Sequence, residues 1–262
     1  MISFNKIVNK LCKKCWNIVF LTDIFEIIDP EYKNKNRVTL NKTIYRLKSE
    51  WVIIPLKNGV YIIPDDEDTS LNSVDLVDKY YIRLLKKYIK AEVWAHYYIS
   101  GKKSLEFHMR DYSIPEKIFI INRSLNKKIK IWVYEIIFKT ISWNQHGKKI
   151  NLYNYTSQYS KEIQLDSIVL KISSLELALL EASLIWGSYG WVEVELITKA
   201  LKKYSSILDH NTFKDIAPFK YIMSFNRLKE LSKSSHPDLY KLFLDIIKTN
   251  GNLFIWEWAR NI

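Results

Sequence analysis

The residues best suited to chemistry in this chain fall on one predicted helix and on the turn that follows it. From about Leu40 to Glu50, the residues Leu40, Ile44, Leu47 and Trp51 recur at i, i+4, i+7 and i+11, a stripe that faces a small core. The opposite face carries Asn41, Lys42, Tyr45, Arg46 and Ser49. Amide and guanidinium groups bond base edges in a major groove, and ammonium groups neutralise phosphate, so this face has the chemistry of duplex recognition. Lys57 and Asn58, at the tip of a predicted hairpin, are placed as a wing that touches backbone or minor groove. A merely solvated face, or one that docks protein, would have the same composition.

Other reactive groups are scattered. Cys12-Lys13-Lys14-Cys15 is a lone C-x-x-C; a zinc site needs two more ligands at matching spacing and a redox pair needs a βαβ setting, so the expectation is two reduced structural cysteines and no metal. His96, His108, His146, His210 and His236 show no paired spacing. His108 with Asp111 has the types of an acid–base pair, but a helix-end hydrogen bond is the reading preferred here. Neither a nucleophile elbow, a phosphate loop nor a dinucleotide fingerprint is present, and the chain is expected to be no enzyme and to need no cofactor.

The elements that must position these groups read as follows. Residues 3–18 have helical spacing through Ile7, Val8, Leu11 and Trp16; Leu21–Ile28 is a second helix with Thr22 as its cap and Asp29-Pro30 as its stop; Thr39 caps the third. Val52–Pro55 and Val60–Ile63 are β-branched runs around Asn58-Gly59, a hairpin signal. Three helices and a hairpin are the order of a winged helix-turn-helix, assigned to 1–64. Asp65-Asp66-Glu67-Asp68 and the Ser, Thr and Asn after it read as an exposed acidic linker over 65–73. Beyond it, 74–262 is predicted as an α+β domain: a lysine-laced helix over 74–90, then a mostly strand-like stretch from about 92 to 172, with runs at 117–121, 129–134 and 167–172 and one helix interrupting it near 103–109. Helices follow to about residue 249, the first opened by Ser173-Ser174-Leu175-Glu176 and closed by Gly187. The fold class expected is α+β, a winged helix-turn-helix followed by a mixed sheet-and-helix domain.

The 262 residues are 48% apolar and 26% charged, which excludes wholesale disorder, and no run approaches the ~20 apolar residues of a membrane span. The opening Met1–Lys6 lacks the apolar core of a secretory signal, so a cytoplasmic protein with no membrane partner is expected. Forty Lys+Arg against 28 Asp+Glu give +12, which favours anionic partners, nucleic acid first. Residues 1–64 hold eleven Lys/Arg and five Asp/Glu, half of that excess in a quarter of the chain. Six glycines against nine tryptophans is an unusual ratio. Trp51 follows a predicted helix and Trp191 follows Gly190, positions where glycine is natural. Either the core is rich in aromatics, or some of these codons are reassigned in the organism of origin.

Several segments resemble one known family. Arg46-Leu47-Lys48-Ser49-Glu50-Trp51-Val52-Ile53 and Asn58-Gly59-Val60-Tyr61-Ile62-Ile63-Pro64 are similar to the R-L-x-x-x-G-x-I and x-G-V-Y-x-x-P wing segments of AbiEi-type antitoxins and related winged-helix regulators. Ser104-Leu105-Glu106-Phe107-His108 resembles their small-residue/Leu/His helix, and Ser174–Glu181 their S-x-E-x-A-L-L-D helix. The order of the motifs spans residues 20–205. Trp51 departs from the family's usual glycine, Glu181 replaces a common Asp, and 206–262 matches no motif. The resemblance implies a DNA-binding regulator that is the antitoxin of a type IV toxin–antitoxin pair. Such a protein represses its own operon and counters a nucleotidyltransferase-like toxin without forming a stable complex. Its double-stranded DNA contacts would fall on Asn41, Lys42, Tyr45, Arg46, Ser49, Lys57 and Asn58. A winged-helix protein-interaction module is the alternative, and a nucleic-acid-processing enzyme a third reading.

Overall fold

Apolar residues at helical spacing fix the first elements. In a computed structural model that describes residues 3–14, 17–28, 37–145, 148–165, 167–184, 192–219 and 221–250, helix α1 (Phe4–Lys14) turns Ile7 and Leu11 inward. The helix expected over 3–18 stops early. Asn17 adopts a left-handed conformation (φ 64°), which asparagine tolerates, and feeds strand β1 (Ile18–Phe20), which sequence periodicity does not reveal. Helix α2 (Leu21–Ile28) follows directly. Thr22, expected as its cap, lies within the helix, and Asp23 instead accepts the Phe20 N–H at 2.7 Å. The stop at Asp29-Pro30 lies outside the described residues.

Helix α3 (Arg37–Ser49) begins before Thr39, so Thr39 is no cap; its carbonyl accepts the Thr43 hydroxyl within the helix. The helix ends in a Schellman motif, with Val52 N–H bonded to Leu47 O (2.9 Å) and Trp51 N–H to Lys48 O (3.1 Å). Because Val52 and Ile53 close the helix, the hairpin starts two residues later than expected, as β2 (Ile54–Lys57) and β3 (Val60–Ile62) around Asn58-Gly59, with Gly59 at φ 78°. The three strands pair in the order β1-β3-β2, all antiparallel. Leu11, Val19, Ile24, Leu40, Leu47 and Ile53 form the centre of the core beneath them.

Asp65, Asp66 and Glu67 of the acidic stretch are exposed as expected of a linker, but Asp68 is not. Asp66–Ser70 forms a 3-10 turn in which Asp68 is 1% exposed and accepts bonds from Asp65 N–H (2.8 Å), Tyr80 Oη (2.5 Å) and Lys79 Nζ (2.6 Å). Tyr80 and Lys79 come from α4 (Ser73–Glu92), whose Lys79, Arg83 and Lys87 stand at i, i+4 and i+8. Arg83 donates to Asn17 Oδ1 (2.5 Å), and Lys87 bonds Asp23 and the Ile18 carbonyl (2.6 Å). The chain divides into two compact units, 1–91 with 131–133, and 92–130 with 134–262, so α4 belongs with the N-terminal helices almost to its end.

In the second unit, β-branched and aromatic runs build a six-stranded mixed sheet. Its strands are β4 (Tyr97–Ser100), β5 (Lys117–Asn122), β6 (Lys127–Ile131), β7 (Tyr134–Lys139), β10 (Ser160–Leu165) and β11 (Ile168–Ser173), in the order β10-β11-β4-β5-β7-β6. Pairs β4/β11 and β5/β7 are parallel, while β4/β5 and β10/β11 are antiparallel. The run expected as one strand over 129–134 is broken by a tight turn at Trp132-Val133. A hairpin, β8 (Ser142–Gln145) and β9 (Lys148–Asn151), and α6 (Leu152–Thr156) fill the connection to β10. Helix α5 (Gly101–His108) begins two residues before the expected 103–109 and ends one short of it, and α7 (Leu175–Ala182) is capped by Ser174, which accepts the Leu177 N–H. Every residue of α7 is buried, so it is a central helix rather than one with a single apolar face. Its expected closure at Gly187 lies outside the described residues. Helices α8 (Val194–Tyr204), α9 (His210–Ile216), α10 (Ile222–Ser232) and α11 (Pro237–Asn250) complete the unit, with Phe213, Phe225 and Phe243 in mutual ring contact. No helix of the described residues is long and apolar enough to cross a membrane.

Candidate nucleic-acid interface

Helix α3 has two chemically distinct sides because its core stripe is narrow. Leu40, Ile44 and Leu47 are buried. Trp51, expected as the last member of that stripe, is 70% exposed, since the left-handed turn at its own position (φ 54°) swings it off the helix axis. The solvent side carries Asn41, Lys42, Tyr45, Arg46 and Ser49, all exposed, with Tyr45 at 75%. Val38, in the first turn and 64% exposed, extends this side. The spacing Val38, Lys42, Tyr45, Ser49 is i, i+4, i+7, i+11, a continuous stripe along one face.

Two of these side chains are engaged with their own helix. The Arg46 guanidinium bonds Glu50 Oε1 at 2.6 Å, one turn on, and lies 3.9 Å from the centroid of the Phe4 ring, whose face attracts cations. Ser49 Oγ donates to the Arg46 carbonyl (3.0 Å). Arg46 thus braces α3 on α1, and the groups of the solvent side best placed for an external ligand are Asn41, Lys42 and Tyr45. Lys57 and Asn58 are exposed at the hairpin tip, where Gly59 O accepts Leu21 N–H (2.8 Å) and anchors the turn. Lys48, absent from the expected set, is exposed and stands over the Tyr61 ring at 5.3 Å. Exposed Lys6, Lys10 and Lys13 on α1 add positive charge to the unit.

The other expected chemistry separates in space. Cys12 is a free, exposed cysteine and Cys15 lies outside the described residues, as do His146 and Trp191. His108 does not pair with Asp111: its Nε2 lies 2.9 Å from Ser173 O, while Asp111 Oδ1 accepts the Ser113 N–H (2.9 Å). Burial pushes the His108 imidazole down to about 4, so it is neutral at pH 7. Nearby, Glu181 is wholly buried; Oε2 accepts Ser173 Oγ (2.5 Å) and Gly101 N–H (3.1 Å), and desolvation pushes its carboxyl up to about 8. This group ties α5 and β11 to α7 and is packed into the core rather than opened to a cleft. A second buried pair, Lys103 with Glu106 (2.9 Å), is completed by Lys103 donating to Ser113 O (2.5 Å) and Asp111 O (3.2 Å).

No known protein family and no curated protein matches this sequence. Among solved structures the chain is similar to the RV2827C protein of Mycobacterium tuberculosis, with 13% identity and a TM-score of 0.62 over 96% of this chain and 82% of that one. At that identity the likeness shows a shared α+β fold and nothing further.

Proposed function

We propose that this protein is a DNA-binding transcriptional regulator whose N-terminal elements act as a winged helix-turn-helix. In this reading α3 enters the major groove and the β2–β3 turn serves as the wing. The observation that carries it is the solvent face of α3, where Asn41, Lys42 and Tyr45 stand exposed beside the basic α1. The excess of six positive charges in residues 1–64, eleven Lys/Arg against five Asp/Glu, supports an anionic partner. The resemblance to AbiEi-type antitoxins supports the finer role: repression of its own operon and neutralisation of a nucleotidyltransferase-like toxin. The resembling segments Ser104–His108 and Ser174–Glu181 are mostly buried on α5 and α7, so they bear on the fold and assign no residue to toxin neutralisation.

The test is titration of the purified protein with duplex DNA from upstream of its own gene, against scrambled duplex, at two salt concentrations. Preference for the upstream duplex is expected, with Asn41→Ala/Lys42→Ala losing that preference while keeping the native circular dichroism spectrum. Equal binding to both duplexes would overturn the regulator reading. The exposed apolar groups Val38, Tyr45 and Trp51 favour one alternative, a protein-docking module, which predicts no duplex binding at all.

A further inference from the structure

We infer that α3 reads A·T base pairs, with Val38 and Tyr45 packing on thymine methyl groups and Asn41 bonding adenine. The inference rests on the groove assignment just proposed and specifies what that groove contains. Val38 and Tyr45 are 64% and 75% exposed at i and i+7, with Lys42 at i+4 between them along the helix. Among the described residues nothing accounts for apolar side chains left in water on an otherwise polar, basic face. The thymine C5-methyl is the apolar group that base-pair edges display in a major groove, and residues at the start of a recognition helix are those that reach base edges. Val38 stands in that first turn. An exposed Asn41 beside it has the donor and acceptor that match adenine N7 and N6. Arg46 would be the guanine reader, but it is held by Glu50 at 2.6 Å and stacked on Phe4. The charge of the surrounding residues supplies the phosphate attraction that brings such a face to duplex DNA.

The experiment selects binding sites from a random-sequence duplex pool with the full-length protein, then replaces each thymine of the enriched site in turn by uracil, which deletes only the methyl group. Expected is an enriched A·T step at which one uracil weakens binding about fourfold, the worth of one buried methyl. Val38→Ala, at an exposed position that does not threaten folding, should lose that sensitivity while retaining binding to the uracil duplex. An enriched G·C site, or uracil and thymine bound alike at every position, overturns the inference and leaves the regulator intact. A pool with no enrichment overturns both.

Discussion

Trp51 sits where backbone geometry asks for a residue without a side chain. It occupies the left-handed position of the Schellman motif closing α3, and Trp94 and Trp132 have the same φ of 55° and 54°. Trp132 is the first of two residues in the β6–β7 turn, again a site where hairpins take glycine. Three of the four described tryptophans therefore adopt a conformation that costs a non-glycine residue roughly 1–2 kcal/mol. The indole of Trp51 is largely in solvent and recovers little of that cost. Trp51→Gly is expected to raise the free energy of unfolding, read from denaturant titration, by about 1 kcal/mol; a lower value would show that the indole is held by packing. Reassigned codons would have the same signature, and peptides of the native protein should then weigh as glycine at 51, 94 and 132. Tryptophan masses there would retire that reading. Arg46 teaches a related lesson. Its pairing with Glu50 follows from i,i+4 spacing and could be anticipated, but the ring of Phe4 beneath it belongs to another helix.

At the scale of elements, the joint between α5, β11 and α7 carries a pH signature. Glu181, raised by burial from 4.5 to about 8, keeps its proton in the folded chain, so its contribution is full below pH 4.5 and falls as pH rises to about 8. His108, lowered by burial from 6.5 to about 4, acts oppositely: its contribution is full above pH 6.5 and is lost as pH falls toward 4. The two slopes oppose each other between pH 4.5 and 6.5, leaving a fall in stability from pH 6.5 to 8 that belongs to Glu181. Glu181→Gln should flatten that limb in urea titrations; an unchanged slope would assign it elsewhere. The buried pair Lys103–Glu106 has a larger stake, and Glu106→Ala should cost about 3–5 kcal/mol by stranding the ammonium. Most helices and the β2–β3 turn were legible from periodicity and from Asn58-Gly59, because those signals are local. Strand β1 was not, since three residues become a strand only through Ile18 pairing with Ile62. Composition misread Asp68 as solvated because its partner, Tyr80, lies twelve residues away on α4. On the candidate face, Val38 escapes the sequence pattern for a simpler reason: the apolar periodicity starts at Leu40, three residues after the helix begins.

For the whole molecule, the net charge of +12 overstates what is available to a partner. Lys79, Lys87 and Lys103 are each committed to a carboxylate inside the fold, whereas Lys42 stands exposed on α3. The slope of log affinity for duplex against log salt concentration should therefore fall by about one in Lys42→Ala. Lys79→Ala should leave that slope unchanged while lowering stability, and equal slopes in wild type and Lys42→Ala would remove this lysine from the phosphate contacts. Arg83 and Lys87 of α4 also bear on how such a protein can be rearranged in evolution. A recombination event that cut after residue 64 would carry off Asn17 and Asp23 without Arg83 and Lys87, leaving polar groups at the edge of β1 and the start of α2 to find new partners. A cut near residue 91 would keep every one of these contacts. The inheritable module is thus the helices and hairpin together with the helix that clasps them, and new fusions to it are expected to join beyond α4.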